Sequence, residues 1–209
     1  MDAARGLIGT RLVREGDGGR RVGVIVEVEA YAGPEDGASH ARFGPRSRAA
    51  TMFGAPGRAY VYGVYGMHTC LNVVAGPVGV GAAILIRSVE PLEGIGPMRA
   101  ARLARAIASR RAAAASPAAE GARIARLPAE RVAAGPANLA AAFDVERDDD
   151  GLDLLDAASP LRLEPGTLER PARAVIATAR IGVAYAGPGW ADRPWRFVAT
   201  ATVAPGERA

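Results

Sequence analysis

The chain has 209 residues, 49% hydrophobic and 23% charged, with a formal net charge of +4. That is enough apolar sequence to bury a core, which excludes a disordered polypeptide and suits one domain. All 26 basic residues are arginine, and the absence of lysine excludes chemistry built on a lysine side-chain amine, whether Schiff base or general base.

Val22 to Tyr31, VGVIVEVEAY, alternates as a strand. Val22, Val24, Val26 and Val28 fall on one apolar face, and Ile25, Glu27, Glu29 and Tyr31 on the other. AGPEDG ends it with turn residues. His40 to Gly57 is rich in Arg and Gly without periodicity and predicts a long loop, a setting that often carries function. Tyr60 to Val74 predicts one strand, or two joined by a bend near Gly63 or Gly66. Ala82 to Val89 predicts another. Pro97 to about Ala115 predicts a helix, with Pro97 at its first position and Arg99, Arg102 and Arg105 making one side basic. Residues 112–134 are Ala-rich and of low complexity, with no structure assigned. Asp144 to Asp156 sets seven acidic residues against Arg147 and predicts a solvated acidic loop. Ala172 to Tyr185 and Trp195 to Val203 predict closing strands. Irregularly spaced strands with few crossover-length helices point to one mixed α/β domain of α+β type over residues 1–209, not a doubly wound fold.

Cys70 is the one cysteine, so no internal disulfide is expected, and a reducing compartment is. MDAARGLIG lacks the hydrophobic centre of a signal peptide. The longest apolar stretch, Val73 to Val89, is interrupted by Gly76, Pro77, Gly79, Gly81 and Arg87, and reads as a buried strand, not a membrane span. The expectation is a cytoplasmic protein with no membrane contact.

Most chemistries fail on spacing. His40, His68 and Cys70 give no paired ligand set, and the acidic run imitates a calcium loop at Glu146, Asp148 and Asp150 but has Ala157 at the twelfth position. No metal is expected. Phosphate-binding glycine loops and a serine nucleophile elbow are absent, and Cys70 reads as a small buried hydrophobe. What remains is Glu27 and Glu29 on one strand face with Tyr31 beyond, and Tyr60, Tyr62 and Tyr65 within six residues. Two readings stand: solvated carboxylates on an exposed sheet, or a carboxylate in an aromatic cleft that activates water. Aromatic side chains on a basic surface also suit an extruded nucleobase and a wedge for the stack it leaves.

VEVEAYAGPEDGASHA, then MFGAPGRAYVYGVYGMHTCLNVV, AAILIRSVEPLEG and AGPANL resemble, in that order, the alkyladenine or 3-methyladenine DNA glycosylase family, over Leu7 to about Thr202. The resemblance implies a compact domain around a curved, largely antiparallel sheet. It implies a monomeric, monofunctional enzyme without metal or organic cofactor. Its partner would be double-stranded DNA containing damaged purines, with a nucleoid-associated location in a bacterium. The reaction would be hydrolysis of the N-glycosidic bond of alkylated, and by extension deaminated or etheno, purines after base flipping. Carried over by position, Glu29 resembles the general base that activates water and Arg87 the arginine that helps hold that water, with Glu27 in support. Tyr31, His40 and Tyr62 resemble the walls around the flipped base, Asn72 the residue that crowds the exocyclic amine of normal guanine, and Tyr65 the side chain inserted into the vacated stack. Two positions depart from the family pattern. Asn138 stands where lysine is usual in a DNA-backbone segment, and Ala49 where an asparagine follows the arginine matching Arg48. The competing reading is a damaged-DNA binding module that keeps pocket and wedge without catalysis.

Overall fold

The structure, a computed structural model, describes residues 1–64, 66–108, 116–166 and 174–200. Its eight strands are β1 (Arg11–Arg14), β2 (Arg21–Ala32), β3 (Ala59–Val64), β4 (His68–Ala75), β5 (Ala82–Glu93), β6 (Leu161–Glu164), β7 (Val175–Thr178) and β8 (Arg196–Ala199). They form one curved sheet in the order β3-β4-β5-β2-β1-β6, and β8 joins β2 to β7. Each of these pairings is antiparallel. The 12-residue β2 is the hub. β5 runs along one of its edges, while the other takes β1 near its start and β8 at Glu27 to Glu29.

One face of the sheet packs against α2 (Ile95–Ala108), α4 (Ala129–Val132) and α5 (Pro136–Ala142). The main core lies there: Leu71, Val73, Ile84 and Ile86 from the strands meet Met98, Val132, Leu139 and Phe143 from or beside the helices. A smaller cluster of Ala41, Ala49, Met52, Tyr60, Val74 and Ala83 lies on the opposite face. Two 3-10 turns, His40–Phe43 and Ser47–Phe53, cover it and are what the long Arg- and Gly-rich segment becomes. Ala49 is thus a packing residue.

The apolar face of β2 differs from the one read off the sequence. Val22, Val24, Val26 and Val28 do not share a face: the core residues of β2 are Ile25, Val28 and Ala30, and those of β5 are Val89, Ile86 and Ile84. Both series contain a step of three where alternation gives two. Register explains it: Ile25 opposes Val89, Glu27 opposes Ser88 and Val28 opposes Ile86, so Val26 is the extra residue on β2 and Arg87 the extra residue on β5. Two bulges side by side cancel in register, and each re-aims the side chains beyond it.

Other elements also differ from expectation. Tyr60 to Val74 forms two strands. The helix begins at Ile95, which puts Pro97 third, still in the first turn where N–H groups lack helical partners. Its arginines do not form a solvated stripe: Arg99 donates to the Leu127 carbonyl at 2.7 Å, Arg102 to that of Val132 at 2.8 Å and Arg105 to that of Val145 at 3.2 Å. They satisfy carbonyls of the following segments, including the end of α4. Residues 116–134 hold α3 (Pro117–Ala125) and α4, anchored by buried Ile124 and Val132.

The acidic run is not simply a solvated loop. Asp149 is buried and accepts from Arg14 Nη1 at 2.7 Å, and Asp150 accepts from the Val61 amide at 2.8 Å and the Thr51 hydroxyl at 2.6 Å. Of the expected closing strands, the first ends at Thr178 and the second begins at Arg196. Between them, Tyr185 sits on a 3-10 turn (Ala184–Ala186), and α6 (Pro188–Ala191) follows. Residues 109–115 of the expected helix and Ala-rich segment, and 172–173 and 201–203 of the expected closing strands, lie outside the described residues.

Candidate active site

On the face away from the main core, opposed residues form a row across five strands: Tyr60 faces Asn72, Asn72 faces Leu85, Leu85 faces Glu29 and Glu29 faces Arg196. A parallel row sets Val74, Ala83 and Tyr31 beside it. Directly opposed residues point to the same side of a sheet, so a carboxylate, an amide and two phenols converge.

Glu29 is completely buried. Its Oε1 accepts the Ile181 amide at 2.8 Å and pairs with Arg87 Nη1 at 3.1 Å, while its Oε2 accepts the Tyr31 hydroxyl at 3.0 Å. Burial, the nearby Glu29 charge and the hydrogen bond donated to it push the Tyr31 phenol far up, so Tyr31 stays protonated and remains the donor. Glu27, two residues back, is held differently. Its Oε1 takes Arg87 Nε at 2.8 Å and Arg196 Nε at 2.6 Å, and its Oε2 takes the Ser88 hydroxyl at 3.0 Å. Burial raises the Glu27 carboxyl, but the hydrogen bonds and charges of Arg196 and Arg87 outweigh this and leave it below its ordinary value. Arg87 therefore spans both carboxylates, and its place as the bulged residue of β5 turns it onto them.

Tyr31, His40, Tyr62 and Asn72, singled out from the sequence, line one cavity with Ala38, Met52, Tyr60, Ala83 and Tyr185. His40 Nδ1 lies 2.9 Å from the Tyr60 hydroxyl, and its ring meets that of Tyr62 edge-on at 4.6 Å between centroids. The buried Asn72 donates to the Tyr60 carbonyl at 3.0 Å. Small Ala83, opposite Tyr31, leaves space between the rings. That space is about 50 Å³, enough for a water or two. A nucleobase fits only once a wall moves, and Tyr185 is the wall most open to solvent, at 63% exposure. Its hydroxyl is tied to the Ala38 carbonyl at 2.9 Å.

Cys70 is buried beside Tyr62, and burial pushes its thiol up, which fits the packing role read from the sequence. Among the described residues, no group of three or more His, Cys, Asp or Glu could hold a metal ion. A larger cavity of about 380 Å³ lies between α2, α3 and α5, away from the carboxylates. Its cations are committed: Arg102 to Asn138 and backbone, Arg105 to Glu146, Arg123 to Glu120. Asn138 is thereby a link between α2 and α5. Tyr65 lies outside the described residues.

Sequence reasoning missed Asp36, Arg180, Ile181, Arg196 and Tyr185. Asp36 looked like a turn residue, and the other four lay in stretches read as plain strands. No helix of the described residues is long and apolar enough to cross a membrane. A buried carboxylate with an arginine, at the edge of an aromatic pocket, can orient water and stabilise positive charge in a bound molecule.

Known proteins are similar to this sequence. The profile of the methylpurine-DNA glycosylase family matches residues 1–202. A protein of Anaeromyxobacter dehalogenans strain 2CP-C that carries the name 3-methyladenine DNA glycosylase is 43% identical over 93% of this chain and 75% of its own length. Similarly named proteins of Anaeromyxobacter sp. strain Fw109-5 and Bacillus cytotoxicus are 41% and 36% identical, over 99% and 94% of this chain and 89% of each relative.

Proposed function

The chain belongs to the methylpurine-DNA glycosylase family and is a DNA glycosylase of base-excision repair, and from that premise we propose that it hydrolyses the N-glycosidic bond of alkylated purines in duplex DNA, acting as a monomer. The observation that carries this reading is Glu29, fully buried yet hydrogen-bonded to Tyr31, a wall of the aromatic pocket. A damaged purine turned out of the duplex enters between Tyr31 and the His40 and Tyr62 rings once Tyr185 yields. A methylated purine is cationic and sits well against electron-rich ring faces. Water placed by Glu29 and Arg87 forms its bond to C1′ as the bond to the purine nitrogen breaks. The electron pair leaves with the base, the water proton passes to Glu29, and an abasic site remains. Charge developing at C1′ faces the Glu29 carboxylate, which is already oriented by three donors and reorganises little. Neutral lesions such as hypoxanthine or ethenoadenine need protonation of the base as well. Asn72 crowds the exocyclic amine of guanine, and Tyr65 fills the gap in the stack. With no lysine, the chain has no side-chain amine to form an imine with the abasic sugar.

The test is single-turnover base release from duplexes containing 3-methyladenine, 7-methylguanine, hypoxanthine or ethenoadenine, with the wild type and Glu29→Gln. Release by the wild type, lost in Glu29→Gln with lesion binding retained, is expected. Wild-type binding to lesion duplexes without any release would favour a damage-binding module.

A further inference from the structure

Resting on the reading of Glu29 above, we infer that Asp36 and Arg180 are positioning residues, a buried ion pair that sets the orientation of the Glu29 carboxylate and of the Tyr31 ring. Both side chains are wholly buried, and the pair is bidentate, Arg180 Nη1 to Asp36 Oδ2 at 2.6 Å and Nη2 to Oδ1 at 2.9 Å. Arg180 does more than neutralise Asp36. Its Nη1 also donates to the Ala30 carbonyl at 2.9 Å, and Ala30 is the residue between Glu29 and Tyr31. Its guanidinium lies 4.8 Å from the Tyr31 ring centroid and 5.0 Å from that of Trp195. Nη2 reaches the Trp190 carbonyl at 3.2 Å. The next residue along the chain is Ile181, whose amide donates to Glu29 Oε1.

One guanidinium thus ties the segment carrying a Glu29 donor to the strand position from which Glu29 and Tyr31 project. Asp36 fixes the other end, because its carboxylate also takes the Ala32 amide at 3.2 Å and the Ala38 amide at 3.0 Å, which anchors the turn after β2. Ala38 is in turn the residue whose carbonyl holds Tyr185. A chain segment 144 residues away in sequence from Asp36 is brought to bear on the reacting carboxylate. Such a pair costs desolvation that a hydrophobic pair would not, and its bonds run to the backbone of the two segments that carry Glu29 and its amide donor.

A purely structural pair would change stability and leave the rate of the folded protein alone. A positioning pair changes the chemical step, because misplacing a reacting group by about 1 Å can cost on the order of 10²-fold. The experiment measures single-turnover release from a 7-methylguanine duplex together with the Kd for that duplex, in variants shown to be folded. Asp36→Asn is expected to lower the release rate roughly 10²-fold while Kd stays within about threefold. Arg180→Lys keeps the charge but not the fork that reaches Asp36, Ala30 and Trp190 together, and is expected to give an intermediate rate. If Asp36→Asn does not fold, Arg180→Lys carries the same test. An unchanged rate in a folded variant overturns the inference, as does equal loss of rate and binding, or unfolding of both variants. Failure of the wild type to release any base instead overturns the reading of Glu29, so the two are told apart.

Discussion

The two faces of this sheet are made by the same strands, yet they are held together by different forces. Toward α2, α4 and α5 the contacts are Leu, Ile, Val, Met and Phe, whose attraction follows buried area and has no direction. On the other face Glu27, Glu29, Tyr31, Arg87 and Arg196 are joined by hydrogen bonds of 2.6 to 3.1 Å, each needing its own geometry. Stability and the proposed chemistry are therefore weighted to different faces. A change on the helix face is expected mainly to lower the population of folded protein, whereas one at the carboxylates is expected mainly to alter what each folded molecule does.

The sharpest break in that contrast is Glu29→Gln, expected to slow base release on the order of 10³-fold with lesion affinity within a few-fold. Wild-type release in that variant removes the distinction between the faces. Phe143→Ala is the mirror case: unfolding by urea is expected to show a loss of about 3–5 kcal/mol, with release per folded molecule unchanged. Asn72→Ala, in the pocket, is expected to raise release of normal guanine relative to 7-methylguanine about tenfold, measured on paired duplexes. The smallest effect is in acid. Glu27 is held below its ordinary value, so its contribution is complete above the unfolded carboxyl value near ~4.3 and is lost as pH falls through the lower folded one. Stability measured below about pH 4.3 is expected to fall less steeply in Glu27→Gln than in the wild type; equal slopes would leave the Arg87 and Arg196 bonds without energetic consequence.

Where the candidate site lies was more legible than how its residues are held. Alternation along β2 put Glu27, Glu29 and Tyr31 together because period two is local and strict. The same alternation misassigned the valines, since a bulge is set by pairing with another strand and leaves no mark in one strand's own residues. β1 and β6 escaped notice because RLVR and LRLE are four residues long. The Ala-rich helices were illegible for another reason: alanine favours helix but carries no apolar period, and it is Ile124 and Val132 docking elsewhere that secures them. The acidic run misled through composition, which does not disclose that Arg14, Thr51 and Val61 reach two of its carboxylates. Arg180 and Asp36 are the extreme case, since no local pattern joins residues so far apart.

The bulges at Val26 and Arg87 are unequal partners. Removing Val26 would leave Ile25 and Val28 two apart, the ordinary alternation, so Glu29 and Tyr31 would keep their side of the sheet. The extra residue on β5 is Arg87 itself, and it is the residue that bridges Glu27 and Glu29. One irregularity is a spacer that the alternation can do without, and the other is the means by which a strand offers a cation to two carboxylates at once.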